Sequence, residues 1–230
     1  MKTKPSIETG VKFYVIDTDT TFHSFEDFNL ILAPFVLPPA QPKINLLDIE
    51  GMDGSLDLTE ANGEVRYYDR SLKFTFTVFP VDEMSFEERQ TFVSNALNGK
   101  RCKITLDKDP EYYFIGRCTV NEHLCDRRLQ QIVVTATVSP YKMLVSETVA
   151  SYDLKGAKED IVVENRRKSV IPIITCTENC TITLDSKSHD IDGGKEYKIL
   201  DFQLKYGNNI FTITGTGTGT ITFTYQEGDL

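Results

Sequence analysis

Residues able to do chemistry are few in this sequence and widely spaced. The three histidines, His23, His123 and His189, lie far apart. His123 stands two positions before Cys125, with Asp126 next. A Cys–His nucleophile needs a base within hydrogen-bond reach, and sequence neighbours rarely provide that geometry. No H-E-x-x-H, G-x-S-x-G, phosphate-loop or G-x-G-x-x-G pattern is present. Asp17 and Asp19 could begin a cation site or an acid–base pair, but no third ligand lies near, and the run reads as a solvated turn. Asp53 and Asp57 flank Gly54-Ser55 without the terminal Glu of a calcium loop, and read as turn-stabilising side chains.

Five cysteines, Cys102, Cys118, Cys125, Cys176 and Cys180, make an odd set without metal-knuckle spacing. Free thiols in a reducing compartment fit best; a Cys176–Cys180 disulfide is the lesser alternative. The sequon Asn179-Cys180-Thr181 carries little meaning without a secretory signal. Two short basic runs, Arg127-Arg128 and Arg166-Arg167-Lys168, read as solvated hairpin tips or as salt-bridge partners for an acidic neighbouring subunit. The expectation is therefore a protein that is not an enzyme and needs no cofactor or metal.

The elements that would position these residues are mostly strands. The chain has 230 residues, is 40% hydrophobic and carries a formal charge of −9. Both halves are net acidic, a poor balance for gripping nucleic acid, though an acidic surface can line a channel through which DNA slides. Residues 1–12 lack the apolar core of a signal peptide. The most apolar stretch, 30–40, is too short to span a bilayer and is cut by Pro34, Pro38 and Pro39. The expectation is a soluble chain made in the cytoplasm, with no membrane partner.

Residues 10–17 read as a first strand, and Phe22, Phe25 and Phe28 as core or interface anchors. Residues 34–42, PFVLPPAQP, must be extended, because Pro fixes φ and stops helices. The segment reads as a connecting arm rather than a polyproline ligand. Residues 43–49 return to strand. Gly51, Asp53, Gly54, Asp57, Asn62 and Gly63 then mark a structured loop. After it, Leu72, Phe74, Phe76 and Val78 alternate with Lys73, Thr75 and Thr77, the period of a half-buried strand. One helix is predicted at about 85–98, opened by the capping box Ser85–Glu88 and closed at Gly99. Strands follow at 103–106, 112–117 and 130–138, the last apolar enough on both faces to be central in its sheet. From 145 onward Ile, Thr, Gly and Asn dominate, with turn signals at 192–194, 206–209, Gly215, Gly217 and Gly219. That spacing predicts a small β-sandwich. The run 214–222 reads as the entrance to a strand rather than a linker.

Three blocks in order carry a family resemblance. Asp48, Ile49, Gly51, Asp53, Gly54, Leu56, Asp57, Leu58, Thr59 and Glu60, then Tyr67, Arg70, Leu72, Phe74 and Phe76, resemble the pattern D-I-x-G-x-D-G-x-L-D-L-T-E … Y-x-x-R-x-L-x-F-x-F of the distal tail proteins of long-tailed phages. Residues 109–117 and Ser139-Pro140-Tyr141-Lys142 are similar to later blocks of that family.

The resemblance implies a mainly β fold. An N-terminal β-sandwich-like domain, 1–143, would carry the one helix, and a small galectin-like β-sandwich would occupy 144–230. It implies a virion structural protein at the tail tip of a phage or prophage. Six copies would form a hub ring joining the major tail tube protein to a tail-tip protein or tail-associated lysin, and in some phages to a receptor-binding baseplate. The ring would leave a channel for DNA without reading its sequence. Subunits would meet through Asp48, Gly51, Asp53, Gly54, Leu56, Asp57, Leu58 and Arg70, with the proline arm and neighbouring sheet edges. The alternative is a carbohydrate-binding sandwich for cell-wall adhesion, using Tyr152, Tyr197, Phe202, Tyr206, Phe211, Phe223 and Tyr225. The absence of Trp, a favoured sugar platform, weighs against it.

Overall fold

The computed structural model describes residues 10–61, 63–79, 83–125, 129–215 and 217–230, with the backbone alone at 122–125. The Cys125–His123 side chains and Arg127-Arg128 lie outside the described residues. The chain divides into two compact units, Met1–Lys142 and Met143–Leu230.

The first unit contains β1 (Val11–Val15), β2 (Thr20–His23), β3 (Leu30–Leu32), β4 (Leu46–Asp48), β5 (Ser55–Asp57), β6 (Arg70–Val78), α1 (Phe86–Leu97), β7 (Arg101–Leu106), β8 (Asp109–Cys125) and β9 (Gln130–Val138). A short strand, β10 (Lys142–Leu144), begins at its end. Seven strands form an antiparallel sheet in the order β2-β1-β7-β8-β9-β6-β3. The long β8 serves two partners: its first half pairs with β7 and its second with β9.

Alternation decides which face is core. Leu72, Phe74 and Phe76 of β6 are buried, whereas Ser71 and Lys73 are exposed. In β9, Ile132, Val134, Ala136 and Val138 are buried, and the strand lies inside the sheet between β8 and β6. Its other face is only half-covered. Phe13, Phe74 and Phe76 pack edge-on at ring centroid distances of 6.1 and 6.5 Å, an arrangement aromatic quadrupoles favour.

The helix starts as the sequence predicts. Ser85 Oγ accepts from the Glu88 amide, and the Glu88 carboxylate accepts from the Ser85 amide at 2.9 Å. Its buried side is Phe86, Arg89, Val93 and Leu97. Phe92 is 40% exposed while its ring packs on Phe22 and Phe28. Arg89 takes the inner position and donates to the Phe28 carbonyl at 2.6 Å.

The second unit contains β11 (Thr148–Asp153), β12 (Glu159–Asn165), β13 (Ile173–Cys176), β14 (Cys180–Leu184), β15 (Lys187–Ile191), β16 (Glu196–Tyr197), β17 (Gly207–Thr214), β18 (Thr220–Tyr225) and β19 (Gly228–Asp229). Two four-stranded antiparallel sheets, β11-β18-β13-β16 and β12-β17-β14-β15, share one core and form a sandwich. Phe211 of one sheet and Phe223 of the other meet at 4.8 Å between centroids. The hydroxyls of Tyr152 and Tyr225 reach across to the β12 carbonyls of Val162 and Glu164. The Gly-Thr run ends in a loop, and the strand begins at Thr220.

Two predictions follow from this packing. A Cβ on Gly116 would meet the Thr137 carbonyl oxygen and Val138 Cγ1 inside contact distance, so Gly116→Ala is expected to destabilise the first unit by about 1–3 kcal/mol, read from denaturant melts. The bonds from Ser85 hold the Glu88 carboxyl below its ordinary pKa. A depressed folded pKa gives stability that is full above the unfolded value and lost as pH falls through the folded one. Acid should therefore melt the cap of α1, and Glu88→Gln should remove that part of the pH dependence, as followed by circular dichroism.

Candidate assembly interface

The residues after β3 leave the core. Ala33 makes one more ladder bond, its amide to the Thr75 carbonyl at 2.9 Å. The prolines from Pro34 to Pro42 then keep the chain extended. From residue 41 it pairs with its own return. Tyr68 donates to the Gln41 carbonyl at 2.9 Å, Lys43 to Arg66 at 2.7 Å, and Leu58 to Asn45 at 2.8 Å. Further out, β4 and β5 pair in register, Leu46 with Asp57, Leu47 with Leu56 and Asp48 with Ser55. The structured loop expected from the sequence is therefore the end of a two-stranded arm, residues 41–68.

The turn chemistry explains the tip. Gly51 and Gly54 have φ of 83° and 77°, which L side chains rarely adopt. Ser55 Oγ donates to Asp48 Oδ1 at 2.5 Å, and the Thr59 amide donates to Asp57 Oδ1 at 2.9 Å. Hydrogen bonds from the Thr59 hydroxyl and from its amide hold the Asp57 carboxyl below its ordinary range. Asp57 thus serves the turn, and among the described residues no group of three or more His, Cys, Asp or Glu is placed to hold a metal.

What this arm lacks is a core. Every residue from 41 to 57 is exposed. Ile44, Leu46, Leu47, Ile49, Met52 and Leu56 are between 42% and 64% exposed. Leu47 and Leu56 form an apolar pair on one face, while Leu46 shares the other with Asp48, Ser55 and Asp57. A two-stranded ribbon is marginal by itself in water, and a contiguous apolar patch marks an interaction surface. Of the residues named from the sequence, Asp48, Gly51, Asp53, Gly54, Leu56 and Asp57 lie together on the outer arm, and Leu58 is half-covered beside them. Leu46, opposite Asp57, lies on the Asp48 face, so both faces of the ribbon carry exposed apolar side chains; the sequence of 43–49 reads only as a strand.

Arg70 stands apart, at the root of the arm. It is buried, donating from Nε to the Pro38 carbonyl at 2.9 Å and from Nη1 to Pro140 at 3.2 Å. Its guanidinium lies over the Phe114 ring at 5.2 Å. Its contacts are within the chain, where it ties the proline segment to the sheet.

Other polar groups are also engaged within the chain. The His23 Nδ1 accepts from the Phe25 and Glu26 amides, which directs its Nε2 proton to Asp107 at 2.9 Å. Asp19 accepts from the Tyr14 hydroxyl at 2.7 Å. Arg166 pairs with Glu227 and Asp229, at 3.3 and 2.9 Å, rather than presenting a bare basic tip. The cysteines with described side chains are free thiols. Burial, helped by Cys176, pushes the Cys180 thiol up to about 12, which leaves no thiolate for nucleophilic work. Of the aromatics proposed for sugar stacking, Phe202, Phe211, Phe223 and Tyr225 are buried in the sandwich core. Tyr206 is 66% exposed but lies under Arg167. No helix among the described residues is long and apolar enough to cross a membrane.

No protein-family model matches the sequence, and no curated protein does. Among solved structures, the fold is similar to that of SPP1 Dit (gp 19.1), whose crystal structure is presented as a paradigm of the hub adsorption apparatus in phages infecting Gram-positive bacteria. The TM-score is 0.61 at 15% identity, covering 95% of this chain and 98% of that one.

Removing the Arg70 guanidinium takes two donors from the root of the arm. Arg70→Ala is expected to cost about 1–3 kcal/mol and to speed limited proteolysis within 34–42. An unchanged cleavage rate would show that the tether is idle.

Proposed function

We propose that this chain is a distal tail protein, a structural hub of a phage tail tip. The observation that carries this reading is the arm 41–68, exposed throughout 41–57 with its apolar side chains uncovered, on a fold similar to a known hub protein over nearly its whole length. An arm that cannot bury itself needs another surface, and the simplest source is a second copy. Its apolar face differs from the sheet that carries it, so the contact is heterologous: arm of one subunit on a different patch of the next. Such a contact closes into a ring when the rotation per subunit divides a full turn. Six copies make the hexameric hub.

In this reading the first unit forms the ring, and the second, taken as galectin-like, is the docking surface for other tail components. One face of the ring meets the major tail tube protein. The other meets the tail-tip or tail-associated lysin protein and, in some phages, a receptor-binding baseplate. The work is passive: the ring aligns its partners and leaves an opening for DNA. An acidic chain suits such a channel, since it repels the phosphate backbone. The protein is placed in the virion tail tip after synthesis in the host cytoplasm.

The test is a charge placed in the apolar arm. Leu56→Glu and Leu58→Glu should each reduce self-association about tenfold or more, because an unpaired carboxylate would be buried in the contact, while the thermal melt of the monomer stays nearly unchanged for the exposed Leu56. Assembly of both variants at wild-type concentration, measured by sedimentation, would refute the arm as the subunit contact.

A further inference from the structure

A cleft opens in the second unit where its two sheets part. β11 and β12 are edge strands of opposite sheets, and the Tyr152 hydroxyl of β11 spans the gap to the Val162 carbonyl of β12 at 2.5 Å. The cleft has a volume of about 570 Å³, in the range of small-molecule sites. Thr148, Tyr152, Tyr225 and Glu227 line it from the β11–β18 side. Glu164, Arg166 and Asn208 line it from the β12–β17 side.

The hydroxyl protons along this cleft are already committed. Thr148 Oγ1 donates to Glu227 Oε2 at 2.9 Å, and the hydroxyls of Tyr152 and Tyr225 donate to the Val162 and Glu164 carbonyls. A hydroxyl has one proton and two lone pairs, so toward a ligand these three oxygens act as acceptors. The carboxylates of Glu164 and Glu227 accept as well. Arg166 is paired with Glu227 at 3.3 Å and with Asp229 at 2.9 Å. Acceptors and negative charge are therefore in excess, and a ligand must bring donors. A phosphate or sulfate group brings none when fully ionised, and the carboxylates repel it.

Two donor-bearing ligands fit less well. A strand added to β12 would need the carbonyls of Val162 and Glu164, which the tyrosines already cap. A lysine side chain would meet one carboxylate and leave the hydroxyl oxygens unmatched. A pyranose carries donors around its ring with C–H surface between them, and Ala150 and Val162 give the cleft apolar wall to match. The geometry points to a saccharide site at the β11–β12 edge, which takes a neutral or amino-bearing pyranose saccharide. This goes beyond the hub reading and gives the second unit a ligand of its own. Recognition is by hydrogen bonds rather than by aromatic stacking, so no Trp is needed. The Tyr225 ring is buried in the core and the Tyr152 ring packs edge-on to Phe223 at 6.2 Å, while the hydroxyls of both serve the cleft edge.

The experiment is saturation-transfer NMR with titration on the full chain. Trimers of glucose, N-acetylglucosamine and glucosamine are the saccharide probes, with inorganic phosphate and a tri-lysine peptide alongside. At least one trisaccharide is expected to bind with a Kd on the order of 1 mM or tighter. Glu164→Gln/Asn208→Ala, at two exposed side chains, is expected to weaken that binding at least about tenfold, with the thermal melt unchanged. Absence of binding by all three trimers overturns the assignment. Saccharide binding that the double variant leaves intact also overturns it, because the sugar then sits elsewhere. Phosphate bound in place of saccharide contradicts the acceptor-rich lining. Tri-lysine bound in place of saccharide reassigns the cleft to a basic segment of a partner protein. Self-association, read by sedimentation, is expected to be equal in the wild type and the double variant, so failure here leaves the hub reading standing.

Discussion

The structure turns on apolar surface that its own chain cannot cover. Burying one aliphatic side chain is worth about 1.5–3 kcal/mol, and the arm leaves six large ones in water. Two strands cannot hide both of their faces, and the proline segment carries the ribbon away from the sheet that could. The hydrophobic effect that drives the two cores together therefore remains unspent at 44–56. It is available only to a second surface. Arg70 serves this arrangement from inside, holding the proline root to the sheet while the outer arm stays free.

Several polar groups among the described residues are engaged in holding the fold. His23 resembles a base oriented by a carboxylate, yet its second ring nitrogen is occupied by backbone amides. The hydroxyls of Tyr152 and Tyr225 cap carbonyls on an edge strand of the sandwich, where open backbone groups would otherwise invite another strand. Buried thiols sit in pairs, Cys102 with Cys118 and Cys176 with Cys180.

Much of the fold was legible in the sequence because local patterns match local physics. The alternation in 72–78 and 130–138, the box at Ser85 and Glu88, and the glycines at the arm tip each name their own structure. What could not be read was the destination of the apolar residues. Leu46 and Leu47 look the same in sequence whether they face a core, a partner or water. Arg89 was missed because a helix stripe seldom includes a buried cation, and its place depends on the distant Phe28 carbonyl. The family resemblance supplied what pattern could not, a reason to expect subunit contacts at 48–58.

The most direct measurement is hydrogen exchange of the arm amides, followed alongside the mass of the particle in solution. Covering the arm with a second copy predicts that amides in 43–60 exchange quickly in the monomer and become protected as six-copy particles form. Particles of that mass whose arm amides still exchange at the monomer rate would contradict the account, because the surface that demands a partner would then have none.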